Sequence, residues 1–146
     1  MKRIQIDIRK DLFESIVATT QLRARQVPEM IDIAIVRPED QKIFDRYFKE
    51  FIAEFKNETA TFGRLKDYEG MLSYELNDSE TEHKLDELQP LLSRIAHEYL
   101  LSRWYDDIGI DQLRNDSLAK YEKLLTDWRN HTARKAFVVP KYRPYF

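Results

Sequence analysis

On both sides of Gly109 the apolar residues recur mostly three or four positions apart: Leu85, Leu88, Leu92, Ile95, Tyr99 and Trp104 before it, Leu118, Tyr121, Leu125 and Trp128 after it. That spacing stacks side chains on one face of a helix. A glycine just past the last periodic residue is a common helix stop. A link as short as Ile108-Gly109-Ile110 makes the two helices antiparallel neighbours. Two amphipathic helices folded back on each other therefore organise the chain. Pro90 interrupts the first of them, and an interior proline removes a hydrogen bond and clashes with the turn before it. Either a helix that begins near Thr81–Leu85 is kinked there, or Lys84–Gln89 forms a separate turn and the main helix starts around Pro90; the second is the preferred reading, with the helix ending near Asp107. Asp111 is expected to cap the second helix, which runs to about Ala133 and spans about 30 Å at ~1.5 Å per residue.

Upstream, Pro38-Glu39-Asp40 is a helix-start signal, with proline early and acids where the helix dipole favours them. Ile43, Tyr47, Phe51 and Phe55 follow at four-residue spacing, flanked by Phe44, Phe48 and Ile52. A face this aromatic fits a central helix packed on two sides, or one that gives part of its surface to another subunit. Leu12, Phe13, Ile16, Val17 and Thr20 form a further amphipathic helix, with Asp11 as its expected cap and Gln26-Val27-Pro28 as its stop. Between Pro28 and Pro38, the alternating, β-branched run Met30–Val36 reads as a strand. Its candidate partners are Ile4–Ile8, Met71–Leu76 and the C-terminal tail. Ile4, Ile6 and Ile8 alternate with polar residues, as an edge strand or as the lead-in to the next helix. Thr59–Ser79 is irregular, with a short strand or hairpin over Met71–Leu76 and a turn at Asn77-Asp78-Ser79.

The expected fold is mainly α: an antiparallel bundle of about four helices with a small β element, in a single domain over 1–146. Residues 1–136 form its core and 137–146 an extended C-terminal arm. An apolar fraction of 42% supports a packed core, and 34% charged residues suit long helices with solvated outer faces. The 24 basic residues are interspersed with 26 acidic ones, for a net charge of −2, which disfavours a nonspecific grip on nucleic acid. With no cysteine, disulfides, thiolate catalysis and cysteine-based zinc sites are excluded. The charged start, Met1-Lys2-Arg3-Ile4-Gln5-Ile6-Asp7, lacks the apolar core of a signal peptide, and no run of about 18 apolar residues could cross a bilayer. The expected location is cytoplasmic.

The residues that usually carry chemistry do not converge. His97-Glu98-Tyr99-Leu100-Leu101 begins like a zinc-protease helix but has leucine where the second histidine belongs. His83 and His131 stand apart from it, and His131 lies near a helix end where it favours the dipole. Asp106 and Asp107 are adjacent and so point to different helical faces, which suits salt bridges and not paired-carboxylate catalysis. The acids Glu69, Glu75, Asp78, Glu80 and Glu82 lack the spacing and the glycine of a calcium loop. Ser15, Ser73, Ser79, Ser93, Ser102 and Ser117 carry no motif that brings a base to them. Three glycines cannot build a phosphate-cradling loop. We expect no catalytic, metal or cofactor site and no small-molecule substrate. After Ala133 the character changes: Phe137, Val138, Val139, Tyr142, Arg143, Tyr145 and Phe146 make an apolar, aromatic, proline-punctuated run that must dock on something. It folds back over its own domain, or it reaches a neighbouring subunit. Arg129, Arg134, Lys135, Lys141 and Arg143 make this end basic, which suits an acidic protein surface better than a nucleic-acid strand.

The run Leu92-Ser93-Arg94-Ile95-Ala96-His97-Glu98-Tyr99-Leu100-Leu101-Ser102-Arg103-Trp104-Tyr105, the helix around Tyr121-Glu122-Lys123-Leu124-Leu125 and the terminal Lys141-Tyr142-Arg143-Pro144-Tyr145-Phe146 resemble the small helical head–tail connector and adaptor proteins of tailed phages and prophages. The aromatic helix Asp40–Phe55 is similar to the helix that precedes these in that family, so the resemblance covers roughly residue 40 to the end. It implies a non-enzymatic virion assembly protein. Such proteins form a ring beneath the portal, with self, portal and tail proteins as partners, and interlock through helices and terminal arms. The alternative is a helical adaptor or regulator that binds one cellular partner.

Overall fold

A computed structural model describes residues 3–7, 11–59, 63–68, 71–76 and 85–132, with side chains over 11–57 and 87–131. In chain order its elements are β1 (Arg3–Asp7), α1 (Phe13–Arg23), α2 (Ile31–Ala34), α3 (Gln41–Thr59), β2 (Gly63–Tyr68), β3 (Met71–Leu76), α4 (Leu85–Ile108) and α5 (Asp111–Thr132). Short 3-10 turns stand at Ala24–Gln26, Pro28–Met30 and Pro38–Asp40. The described chain is mainly helical. The backbone of the three strands forms an antiparallel sheet in the order β1-β3-β2, with Ile4 opposite Tyr74 and Leu65 opposite Tyr74 from the other side. β1 lies against α4 and β2 against α3. The arm at 137–146 and His83 lie outside the described residues.

The α4–α5 hairpin turns on Gly109. Its φ of +79° is open to glycine, and an added Cβ would meet nothing within 4 Å, so the backbone torsion and not space selects the residue. The Gly109 N–H donates to the Asp106 carbonyl at 3.2 Å and the Ile110 N–H to the Tyr105 carbonyl at 3.0 Å. This is the paired hydrogen-bond closure of a Schellman motif. From there the helices run antiparallel, with Tyr99 against Tyr121 at one level and Glu87 facing His131 at the far end.

α3 lies along this hairpin with its aromatic face inward. Phe44 meets Phe13 of α1 and Trp104 of α4, Phe51 meets Tyr99 of α4, and Phe55 meets Trp128 of α5. Tyr47, Phe51 and Phe55 are at most 1% exposed. The aromatic excess in this helix is therefore core material that cements three other helices. At its start, the Arg37 N–H donates to the Asp40 carboxylate at 2.9 Å, closing the turn that Pro38 opens.

Four expectations are corrected. Met30–Val36 is no strand: Pro28 opens a 3-10 turn and α2 follows as a single helical turn. Ala34 and Val36 are the buried residues of the run, and the Ala34 carbonyl accepts from the Trp104 indole N–H at 3.0 Å. Pro90 lies inside α4, which starts at Leu85. As its sixth residue, Pro90 forfeits one bond near an end where the first N–H groups lack partners anyway. α1 begins after Leu12, with no side-chain cap from Asp11. Asp111 opens α5 in its first turn, while the Ile110 carbonyl accepts from the Arg114 N–H in the capping position.

Candidate functional site

Two features stand out from the packed core, and both lie where α1 leaves it. The first is a buried polar clasp. Arg23, at the last position of α1, aims its guanidinium at the seam between α4 and α5. It donates to both Glu98 carboxylate oxygens at 3.0 Å and to the Ser117 hydroxyl at 3.0 Å. His97 completes the set, with Nδ1 3.1 Å from Glu98 and Nε2 3.1 Å from the Thr19 hydroxyl. The Arg23 and Glu98 side chains are 14% and 9% exposed. Burial alone would raise the Glu98 carboxyl; the hydrogen bonds from His97 and Arg23 overcome it and hold the group at about 2. The Tyr105 hydroxyl, also buried, is pushed up to about 12 by burial and stays protonated. This arrangement is a bidentate ion pair that fastens α1 to the hairpin. Its charges are already satisfied within the cluster, so it offers no free base or nucleophile.

The second feature is the segment that the clasp anchors. Residues 20–36, from the last turn of α1 through α2, form a compact closed segment, called the loop below, whose ends meet. The Val36 N–H donates to the Thr20 hydroxyl at 3.1 Å, and that hydroxyl donates to the Val17 carbonyl. Inside the loop, Ala24, Val27, Ala34 and Val36 are buried. Outside it, Leu22 is 62%, Ile31 38% and Ile33 48% exposed. Closed loops of this kind, packed by their own side chains, are frequent functional elements. Apolar side chains held outward on a rigid base suit contact with another protein.

A third region lies near the hairpin turn. Arg103 Nε is 3.0 Å from Glu50, Arg114 is 3.3 Å from Asp106 and 3.4 Å from Asp111, and the Tyr47 hydroxyl donates to Asp107. Asp106 and Asp107 diverge, one towards α5 and the other towards α3, as their adjacency requires. Burial and the Asp107 hydrogen bond raise Tyr47 well above the usual phenol range, so it remains a donor. A shallow cleft of about 260 Å³ opens here between Ser102, Arg103, Asp106, Arg114 and Leu118. Its arginines are matched by acids, and the Ser102 hydroxyl donates to the Tyr99 carbonyl at 2.6 Å.

Of the residues singled out in the sequence, His97 is a partly buried side chain on α4 and a member of the clasp. His131 has Nδ1 2.7 Å from the Asp127 carbonyl and Nε2 3.5 Å from Glu87. Phe137, Val138, Val139, Tyr142, Arg143, Tyr145 and Phe146 lie outside the described residues. Sequence reasoning missed Arg23, Thr19 and the outward loop. Among the described residues, no three His, Asp or Glu side chains group as metal ligands, and no helix is long and apolar enough to cross a membrane. Comparison of the chain with family models, curated proteins and solved structures finds no match.

Proposed function

We propose that this chain is a non-enzymatic structural assembly subunit, a head–tail connector or neck adaptor of a tailed phage or prophage, that docks through helices and its C-terminal arm. One observation carries the reading. Of the four large apolar side chains exposed among the described residues, three lie on one anchored segment, Leu22 in the last turn of α1 and Ile31 and Ile33 on α2. A docking surface needs apolar anchors presented without conformational freedom, because ordering side chains on binding costs affinity. The Arg23–Glu98 clasp and the Thr20–Val36 closure supply that rigidity. The run from Leu92 to Tyr105 that resembles the connector family carries the clasp's Glu98 and His97 and the indole that holds Ala34. The small sheet against α3 and α4 belongs to this reading as a further edge on which neighbouring subunits can pair.

The test is a pull-down from the native host after prophage induction, with the tag on the N-terminus and the captured proteins identified by mass spectrometry. Portal, capsid or tail proteins in the eluate are the expected result. Recovery of a single cellular protein unconnected with virions would overturn the phage reading. It would favour the second one, an adaptor that holds a partner's side chain in the cleft between Arg103, Asp106, Arg114 and Leu118.

A further inference from the structure

The outward loop at residues 20–36 needs an occupant, and the composition of the chain supplies one. Residues 133–146 hold Arg134, Lys135, Lys141 and Arg143 and no acid, a charge of +4. Since the whole chain carries −2, the remainder carries −6. On the loop, Asp32 is exposed between the exposed Ile31 and Ile33, and Glu29 is exposed just before them. Neither acid has an ion-pair partner among the described residues, and Arg25 is the exposed cation of the segment. Acids interleaved with aliphatic side chains complement a segment in which Lys141 and Arg143 flank Tyr142, with Tyr145 and Phe146 close behind. Cations meet carboxylates while rings cover Leu22, Ile31 and Ile33.

From this complementarity we infer that the loop is the acceptor site for the C-terminal segment 137–146 of a second copy of this chain. The inference rests on the assembly reading above and names the contact that reading requires. Direction favours a second copy over the same chain. α5 passes the clasp at Ser117 and then runs away from it, ending at Thr132 about 22 Å further on at ~1.5 Å per residue. A chain that returned to its own clasp would have to reverse after Thr132 and spend about seven of residues 133–146, at ~3.3 Å per residue, covering that distance again. A segment that continues outward meets a neighbour with all its aromatic residues available.

The chain has no cysteine, so the contact can be read by introduced disulfides in the full-length protein. Ile33→Cys and Tyr142→Cys are made in separate chains, mixed in equal amounts and oxidised, with Lys123→Cys on the exposed face of α5 as the control partner. The expected result is a disulfide between the Ile33→Cys and Tyr142→Cys chains at least tenfold more abundant than one between the Ile33→Cys and Lys123→Cys chains, and lost when Asp32→Lys is added to the loop. Equal yields with the two partners would overturn the inference. So would a bond that forms only within a chain carrying both Ile33→Cys and Tyr142→Cys, independent of dilution, because the contact is then within one subunit. Capture of portal or tail proteins together with equal disulfide yields removes this inference and leaves the assembly reading standing. A selective disulfide without such capture keeps the contact and removes the phage assignment.

Discussion

Replacing Arg23 with methionine keeps most of the side chain's length and apolar stem but removes the guanidinium. In the intact protein that group donates to both oxygens of Glu98 and to Ser117, all at 3.0 Å, with the carboxylate side chain 9% exposed. Its loss leaves a buried carboxylate with His97 as its remaining partner in the clasp. Breaking a buried pair from one side costs about 3–5 kcal/mol, and we expect Arg23→Met to lose that much at pH 7. The effect carries its own internal control. Glu98 is held at about 2 from an ordinary 4.5 in the folded chain. A depressed carboxyl stabilises fully above its unfolded value and loses that contribution as pH falls through the folded one. This shift of more than two units is on the order of 3 kcal/mol, present above about pH 4.5 and lost towards pH 2. The difference between wild type and Arg23→Met should therefore shrink to about 1 kcal/mol or less near pH 2.5. The companion double variant, Arg23→Met with Glu98→Leu, should recover most of the loss at pH 7, since apolar replacement of a buried pair is often neutral or stabilising. Urea denaturation followed by helical circular dichroism measures all three, with an unchanged slope as the check that unfolding is still two-state. A loss below about 1 kcal/mol at pH 7, or one that does not fade in acid, would refute the view that the clasp fastens α1 to the hairpin.

Three further perturbations probe the neighbouring structure. Trp104→Ala should cost roughly 3–5 kcal/mol as a large-to-small core change, and it also strips the hydrogen bond that holds Ala34; chemical denaturation gives the number, and a cost under about 1 kcal/mol would contradict its place between Phe44 and α2. Thr20→Val preserves shape but leaves the buried Val36 N–H without its acceptor, a loss of about 1–3 kcal/mol, and amide exchange at Val36 should speed up while exchange in α4 changes only with global stability. Gly109→Ala meets no atom within 4 Å, so its cost is the left-handed torsion alone, about 1–2 kcal/mol, and a thermal-denaturation loss well above that would mean the turn is crowded.

The parts of this fold that repeat locally were legible in the residues. The three- and four-residue spacing from Leu88 to Trp128 gives the seam of the α4–α5 hairpin, and Gly109 marks its turn. The aromatic ladder from Phe44 to Phe55 gives the buried face of α3. What failed were places where a distant contact decides. Ile31, Ile33 and Ile35 alternate as a strand would, yet the Trp104 indole, seventy positions away, claims the Ala34 carbonyl and the segment closes into a helical turn. Pro90 looked like a helix boundary because local rules ignore how little one missing bond costs near a helix start. The clasp was invisible for a related reason: Arg23 and Glu98 are 75 positions apart, and paired polar groups carry no periodic signal. Exposure was likewise unreadable, since an isoleucine on a loop and one in a core look alike until the fold decides which is covered.

The claim that joins these observations is that the loop at residues 20–36 is a rigid docking surface for another subunit. Sedimentation velocity of the full-length chain over a wide concentration range, beside an Ile31→Arg, Ile33→Arg variant, tests it most directly. Both substitutions fall on exposed positions, so the variant should keep wild-type helicity and stability. Wild type is expected to associate into larger species as concentration rises, and the variant to stay monomeric. Identical sedimentation of the two proteins at every concentration would contradict it.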